Sequence, residues 1–199
     1  MTRSSHLRAA LACGAIFALS LGGLAACSKS TTDKVEDATA SVVADASAGV
    51  SSIAADMDAN KTQDFVTKAT IANMFEVKTS ELAVKTSKNA DVLAFAKMMV
   101  KDHTAAGKKF ETAAAATSGL TPPVALDEDH QKKLDDLATK TGTDFDKAYV
   151  DIQQSAHSEA VNLFDDYSKN GKDTALQTFA TETLPTLQAH KDKIDAFKE

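Results

Sequence analysis

The chain has 199 residues, with 22 Lys and Arg against 28 Asp and Glu, five histidines and two cysteines. The acidic balance argues against nucleic acid or an anionic membrane face as partner. With so few cysteines, both in the first 27 residues, the remainder of the chain can host no thiol catalysis, thiolate metal site or disulfide.

The N-terminus reads as an export signal. Arg3 and Arg8 form a positive n-region, and the run from Ala9 to Leu24 is apolar but too short and too rich in Gly and Ala for a membrane span. Small residues then precede Cys27. The tetrad Leu24-Ala25-Ala26-Cys27 resembles a bacterial lipobox, which implies cleavage before Cys27 and lipid attachment to it. Each buried methylene of such a lipid contributes about 0.8 kcal/mol, and more than one chain is needed for a lasting anchor. Ser28 stands where an Asp would imply retention in the inner membrane, so the resemblance points to the outer membrane, periplasmic side. Loss of residues 1–26 removes two arginines and no acids, leaving 20 basic against 28 acidic residues and a net charge of −8.

Residues 27–60 are rich in Ser, Thr, Ala and Asp, with only scattered Val, Ile53 and Met57 as apolar groups. This composition predicts a flexible tether with transient helix. Residues 61–199 form one domain of ordinary size, to which eight of the nine Phe belong.

From Thr62 onward the apolar period is helical. It predicts helices over about 62–87, 90–117, 144–168 and 173–198. Pro122-Pro123 closes the first hairpin, and Leu126–Thr139 reads as a short extra helix in a long connection. Lys169-Asn170-Gly171 is a stop signal, and Asp173 is an N-cap for the last helix. Two hairpins joined by a long crossover predict an all-α four-helix bundle of ferritin-like connectivity.

Each main helix carries one ionisable group on its apolar stripe, projected at about 100° per residue. Glu76 sits mid-stripe with Phe65, Ala69, Ala72 and Thr79, whereas Glu81 points nearly opposite. His103 is central among Ala96, Met99, Ala106 and Phe110. His157 borders a broad arc with Val150, Ala160 and Phe164, and His190 shares a face with Phe179, Leu187 and Ile194. Counting from the turns, Glu76 and His103 differ in level by roughly 4.5 Å, and His157 and His190 by roughly 7.5 Å. The lean of helical side chains toward the N-terminus narrows both gaps.

Two readings of this cluster stay open. Glu76, His103, His157 and His190 could hold a divalent metal such as zinc, iron or copper. Alternatively they form a buried polar network in which Glu76 accepts hydrogen bonds and fixes register. Neither Glu76-Val77-Lys78-Thr79 nor Leu187-Gln188-Ala189-His190 fits the Glu-x-x-His of di-iron bundles, which disfavours that chemistry. Asp102, about 100° from His103 on its helix, reads as a rim residue rather than its acid–base partner. Pro185 should kink the last helix. No phosphate loop or nucleophile elbow is present, so the expectation is a binding or envelope-maintenance module rather than an enzyme.

The strings Phe75-Glu76-Val77, Met99-Val100-Lys101-Asp102-His103 and Leu184-Pro185-Thr186-Leu187-Gln188-Ala189-His190, with Asp64-Phe65-Val66, Phe145-Asp146-Lys147-Ala148-Tyr149 and His157, resemble the family called domain of unknown function 4142. The resemblance covers about residues 62–197. It implies a bacterial, exported, often lipid-anchored protein of ferritin-like fold, with a Glu and histidines at Glu76, His103, His157 and His190. It supplies no substrate. Many members have Leu-Gly where this chain has Thr79-Ser80, so helix packing is expected to depart from the family there.

Overall fold

A computed structural model describes the backbone of residues 35–197 and the side chains of residues 55–197. The signal segment, Cys27 and the start of the tether lie outside the described residues. The chain divides into two units, Met1–Ala44 and Asp45–Glu199, and the second carries the bundle. The helices of the described residues are α1 (Val35–Thr86), α2 (Ala90–Ala115), α3 (Glu128–Ala138), α4 (Gly142–Asn170) and α5 (Thr174–Asp195). The described residues contain no strand.

Four of the five helices match the sequence expectation to within about three residues at most ends. The exception is the start of α1, which reaches back to Val35 rather than 62. The stretch read as a tether is therefore helical from Val35. The reason is local: Ala38, Ala40, Ala44, Ala46 and Ala48 are the best helix formers, no Pro interrupts, and Gly49 alone costs about 1 kcal/mol against Ala.

Side-chain caps fix three of the other starts. Asn89 accepts from the backbone N–H groups of Asp91 (2.9 Å) and Val92 (3.3 Å), Asp127 from His130 (2.8 Å) and Asp173 from Leu176 (2.9 Å). Each such cap is worth about 1 kcal/mol. The stop at Gly171 works differently from a left-handed cap. Its φ is −60°, and what requires glycine is space: a Cβ there would come within 2.6 Å of the Tyr167 ring and carbonyl.

Cross-helix pairs set the topology. Thr62 accepts from Tyr167 (3.3 Å), Phe65 meets Phe164 (ring centres 5.3 Å) and Ser80 meets Tyr149 (2.9 Å), so α1 and α4 are antiparallel. Phe110 meets Phe179 (5.1 Å) and Asp102 meets His190 (3.3 Å), so α2 and α5 are antiparallel too. Hence α2 and α4 run the same way, and residues 116–141 must return the chain along the bundle. That connection carries α3, which buries Leu137 against Phe145 and Tyr149 and sets His130 edge-on to Phe75 at 4.9 Å.

The core has two apolar ends. One gathers Phe65, Phe110, Phe164, Tyr167 and Phe179; the other Phe95, Met99, Phe145, Tyr149 and Ile194. Burying each such side chain stabilises by about 1.5–3 kcal/mol. Between them lies a polar layer. Thr79-Ser80, flagged as a departure from the family pattern, is wholly buried there, and both hydroxyls find partners on α4.

Candidate metal centre

The polar layer brings all four stripe residues together. Glu76, His103, His157 and His190 are 1%, 4%, 0% and 5% exposed. The three imidazoles form a nearly equilateral triangle, with ring centres 5.7, 5.5 and 5.7 Å apart. Both hairpins thus place their groups at one level. Glu81 is exposed on the opposite face of α1, as its angle requires.

Each imidazole is held by one nitrogen. His103 Nδ1 lies 2.9 Å from Glu76 Oε2. His157 Nδ1 lies 2.9 Å from the Gln153 carbonyl, with Glu76 Oε1 at 3.4 Å. His190 Nε2 lies 3.3 Å from Asp102 Oδ2. Carbonyl and carboxylate oxygens only accept, so each of these nitrogens carries the proton and donates. The tautomers are therefore fixed, and the lone pairs of the neutral rings sit on His103 Nε2, His157 Nε2 and His190 Nδ1.

Those same three nitrogens are buried and have no hydrogen-bond partner. One nitrogen from each ring lies within 4.8 Å of the other two. On a tetrahedral ion with bonds of about 2.0–2.1 Å, three nitrogens would stand roughly 3.4 Å apart. Modest closure of the rings reaches that geometry. Leaving a buried nitrogen unsatisfied costs about 1–3 kcal/mol, and three buried imidazoles with one nitrogen each this close together fit a cation.

The outer groups match what metal-bound histidines need. A ligating imidazole commonly donates its other N–H to a carboxylate or a backbone carbonyl; here Glu76, the Gln153 carbonyl and Asp102 accept. Gln153 is itself anchored, its amide donating to Thr79 Oγ1 at 3.0 Å, while Thr79 donates to the Phe75 carbonyl at 2.9 Å. Glu76 thus stands behind His103, and Asp102 joins the site by reaching across to α5 instead of pairing with its neighbour.

The charges are coupled. Burial works to raise the Glu76 carboxyl, but His103's charge and hydrogen bond, helped by His157 and His190, hold it below the usual carboxylate value. Burial works against a proton on His103, yet the charge and hydrogen bond of Glu76 raise it overall. Burial lowers His157, and lowers His190 together with the positive neighbours His103 and His157.

The architecture defines an all-helical bundle with a buried three-histidine cluster at its centre. The family model for the domain of unknown function DUF4142 matches residues 47–197, and the chain belongs to that family. No curated protein and no solved structure matches it. Among the described residues no helix is long and apolar enough to cross a membrane.

Proposed function

We propose that this protein binds one first-row divalent ion, of the zinc, copper or iron kind, through His103, His157 and His190. The observation that carries the reading is a group of three buried imidazoles with one nitrogen of each within 4.8 Å of the others, each ring having one nitrogen held by an oxygen acceptor and the other without a partner. An all-nitrogen donor set suits these ions and not magnesium or calcium. Glu76 and Asp102 contribute two outer carboxylates, which raise the basicity of their histidines. The two hairpins and the long return of residues 116–141 support ferritin-like connectivity, with a one-metal site instead of the di-iron kind. The Leu24-Ala25-Ala26-Cys27 tetrad supports attachment to the outer membrane by lipid on Cys27, periplasmic side, so the metal chemistry belongs to the envelope.

Metal titration of the chelator-stripped protein tests the reading. One equivalent of zinc or copper should bind, and free ion at about 100 times the dissociation constant should add about 2.7 kcal/mol of stability. Asp102→Asn should weaken binding about 10–100-fold without changing stoichiometry. Sub-stoichiometric uptake with no stability change would leave the polar-network reading, in which Glu76–His103 fixes register only.

A further inference from the structure

We infer that the ion of this centre is loaded and released by displacement of His190, with the Asp102 carboxylate as the latch that holds that ring in place. This rests on the metal reading above and assigns unequal roles to three ligands of one kind.

The supports of the three rings differ. His103 is held by Glu76, a carboxylate buried on α1. His157 is wholly buried; the Gln153 carbonyl one turn back on its own helix holds it, and Phe95 flanks it with ring centres 6.3 Å apart. His190 is held from the neighbouring helix α2 by Asp102, whose side chain is 34% exposed. That bond is also the longest of the three, 3.3 Å against 2.9 and 2.9 Å. It lies just outside the usual span of about 2.7–3.2 Å for a donating N–H.

What each ring leaves behind decides which one moves. Turning His103 away strands a buried carboxylate, a costly group to leave unpaired. Turning His190 away leaves Asp102 at the surface, where water replaces the lost bond. Asp102 has a second partner there: Lys101 Nζ, well exposed, lies 4.0 Å from Oδ1, the oxygen His190 does not use. On α5 itself, Pro185 has no N–H to offer the Thr181 carbonyl, so the helix lacks one ladder bond shortly before His190. The three ligands are 5% exposed or less, so an ion can reach or leave them only if one gives way. Displacing His190 removes one donor while His103 and His157 keep their supports, and the ion then passes through a two-histidine stage.

Two measurements test this. In unmutated, metal-free protein, relaxation dispersion of the histidine ring carbons should show larger microsecond-to-millisecond exchange at His190 than at His103 or His157. In stopped flow, Asp102→Asn should speed both the capture of zinc by chelator-stripped protein and its release to excess chelator at least threefold, release the more. A loosened latch opens in both directions, and faster capture would come despite the loss of a negative charge. Equal exchange at the three rings, or the largest at His103 or His157, would overturn the inference while leaving metal binding intact. So would faster release with capture unchanged, the result expected of a carboxylate that only raises its histidine's basicity. Failure to bind zinc at all would remove the metal reading and this one with it.

Discussion

An aromatic ring cluster spans α1, α2, α4 and α5, a histidine ring cluster spans α2, α4 and α5, and the two behave differently. In the aromatic layer Phe65 lies 5.9 Å from Phe110, 5.3 Å from Phe164 and 3.8 Å from Tyr167, the last stacked. In the histidine layer the three ring centres are 5.5–5.7 Å apart. Apart from the stacked pair the spacing is similar, yet the chemistry diverges. Phenyl rings need only contact and exclusion of water, and edge-to-face packing completes them. An imidazole needs a partner for each nitrogen. The histidine layer meets half of that need with Glu76, Gln153 and Asp102, and the other nitrogen of each ring has no partner among the described residues. One layer contributes stability by packing alone; the other depends on its hydrogen-bonding partners.

The sharpest way to break that contrast is His103→Leu. In metal-free protein it strands the Glu76 carboxylate, and the expected cost is about 3–5 kcal/mol. Metal-linked stabilisation is lost in addition. Adding Glu76→Leu should recover much of the metal-free cost, because both partners are then apolar. Urea melts of the single and double variants, with and without chelator, measure both parts; costs that simply add would refute the Glu76–His103 pairing.

Phe65→Ala probes the other layer. It should cost about 3–5 kcal/mol by opening a cavity, and the cost should be the same in chelator and in saturating zinc. A cost that depended on metal would mean the layers are coupled and the contrast false.

The smallest expected effect is a slope. His157 and His190 lie below their ordinary value of 6.5 when folded. The unfolded chain therefore takes up protons first, and metal-free stability falls as pH drops below about 6.5. His103, raised above 6.5, works the other way: its contribution is full below 6.5 and fades as pH rises through its folded value. Below about 6.5 the His103 contribution is already full, so acidification there brings a net loss from His157 and His190. Phe65→Ala should lower the whole curve without altering this slope, whereas His157→Phe should flatten it. Chemical melts of the metal-free variants between about pH 7 and 5.5 decide.

Helix positions and the four stripe residues were legible in the sequence because both follow from a period of about 3.6 residues. The level of the two hairpins was not, since it depends on how far the 116–141 connection carries the chain. Asp102 was placed correctly at the rim, but its service to His190 crosses from α2 to α5 and leaves no local pattern. The Gln153 carbonyl could not be seen at all: every residue has one. The start of α1 was missed because residues 35–60 lack the large apolar side chains that mark a stripe, while their alanines favour helix without one.

The return of the chain through residues 116–141 also has a kinetic consequence. His103 belongs to the first hairpin, and His157 and His190 to the second. Neither hairpin owns the site. The contacts that assemble it, Glu76 with His157 and Asp102 with His190, join residues 81 and 88 positions apart in the chain, and such non-local contacts form late and slowly. An ion that requires all three nitrogens cannot be captured by a half-made bundle. On the metal reading proposed above, uptake would mark the moment at which the two hairpins dock, and the centre would load only once folding is complete.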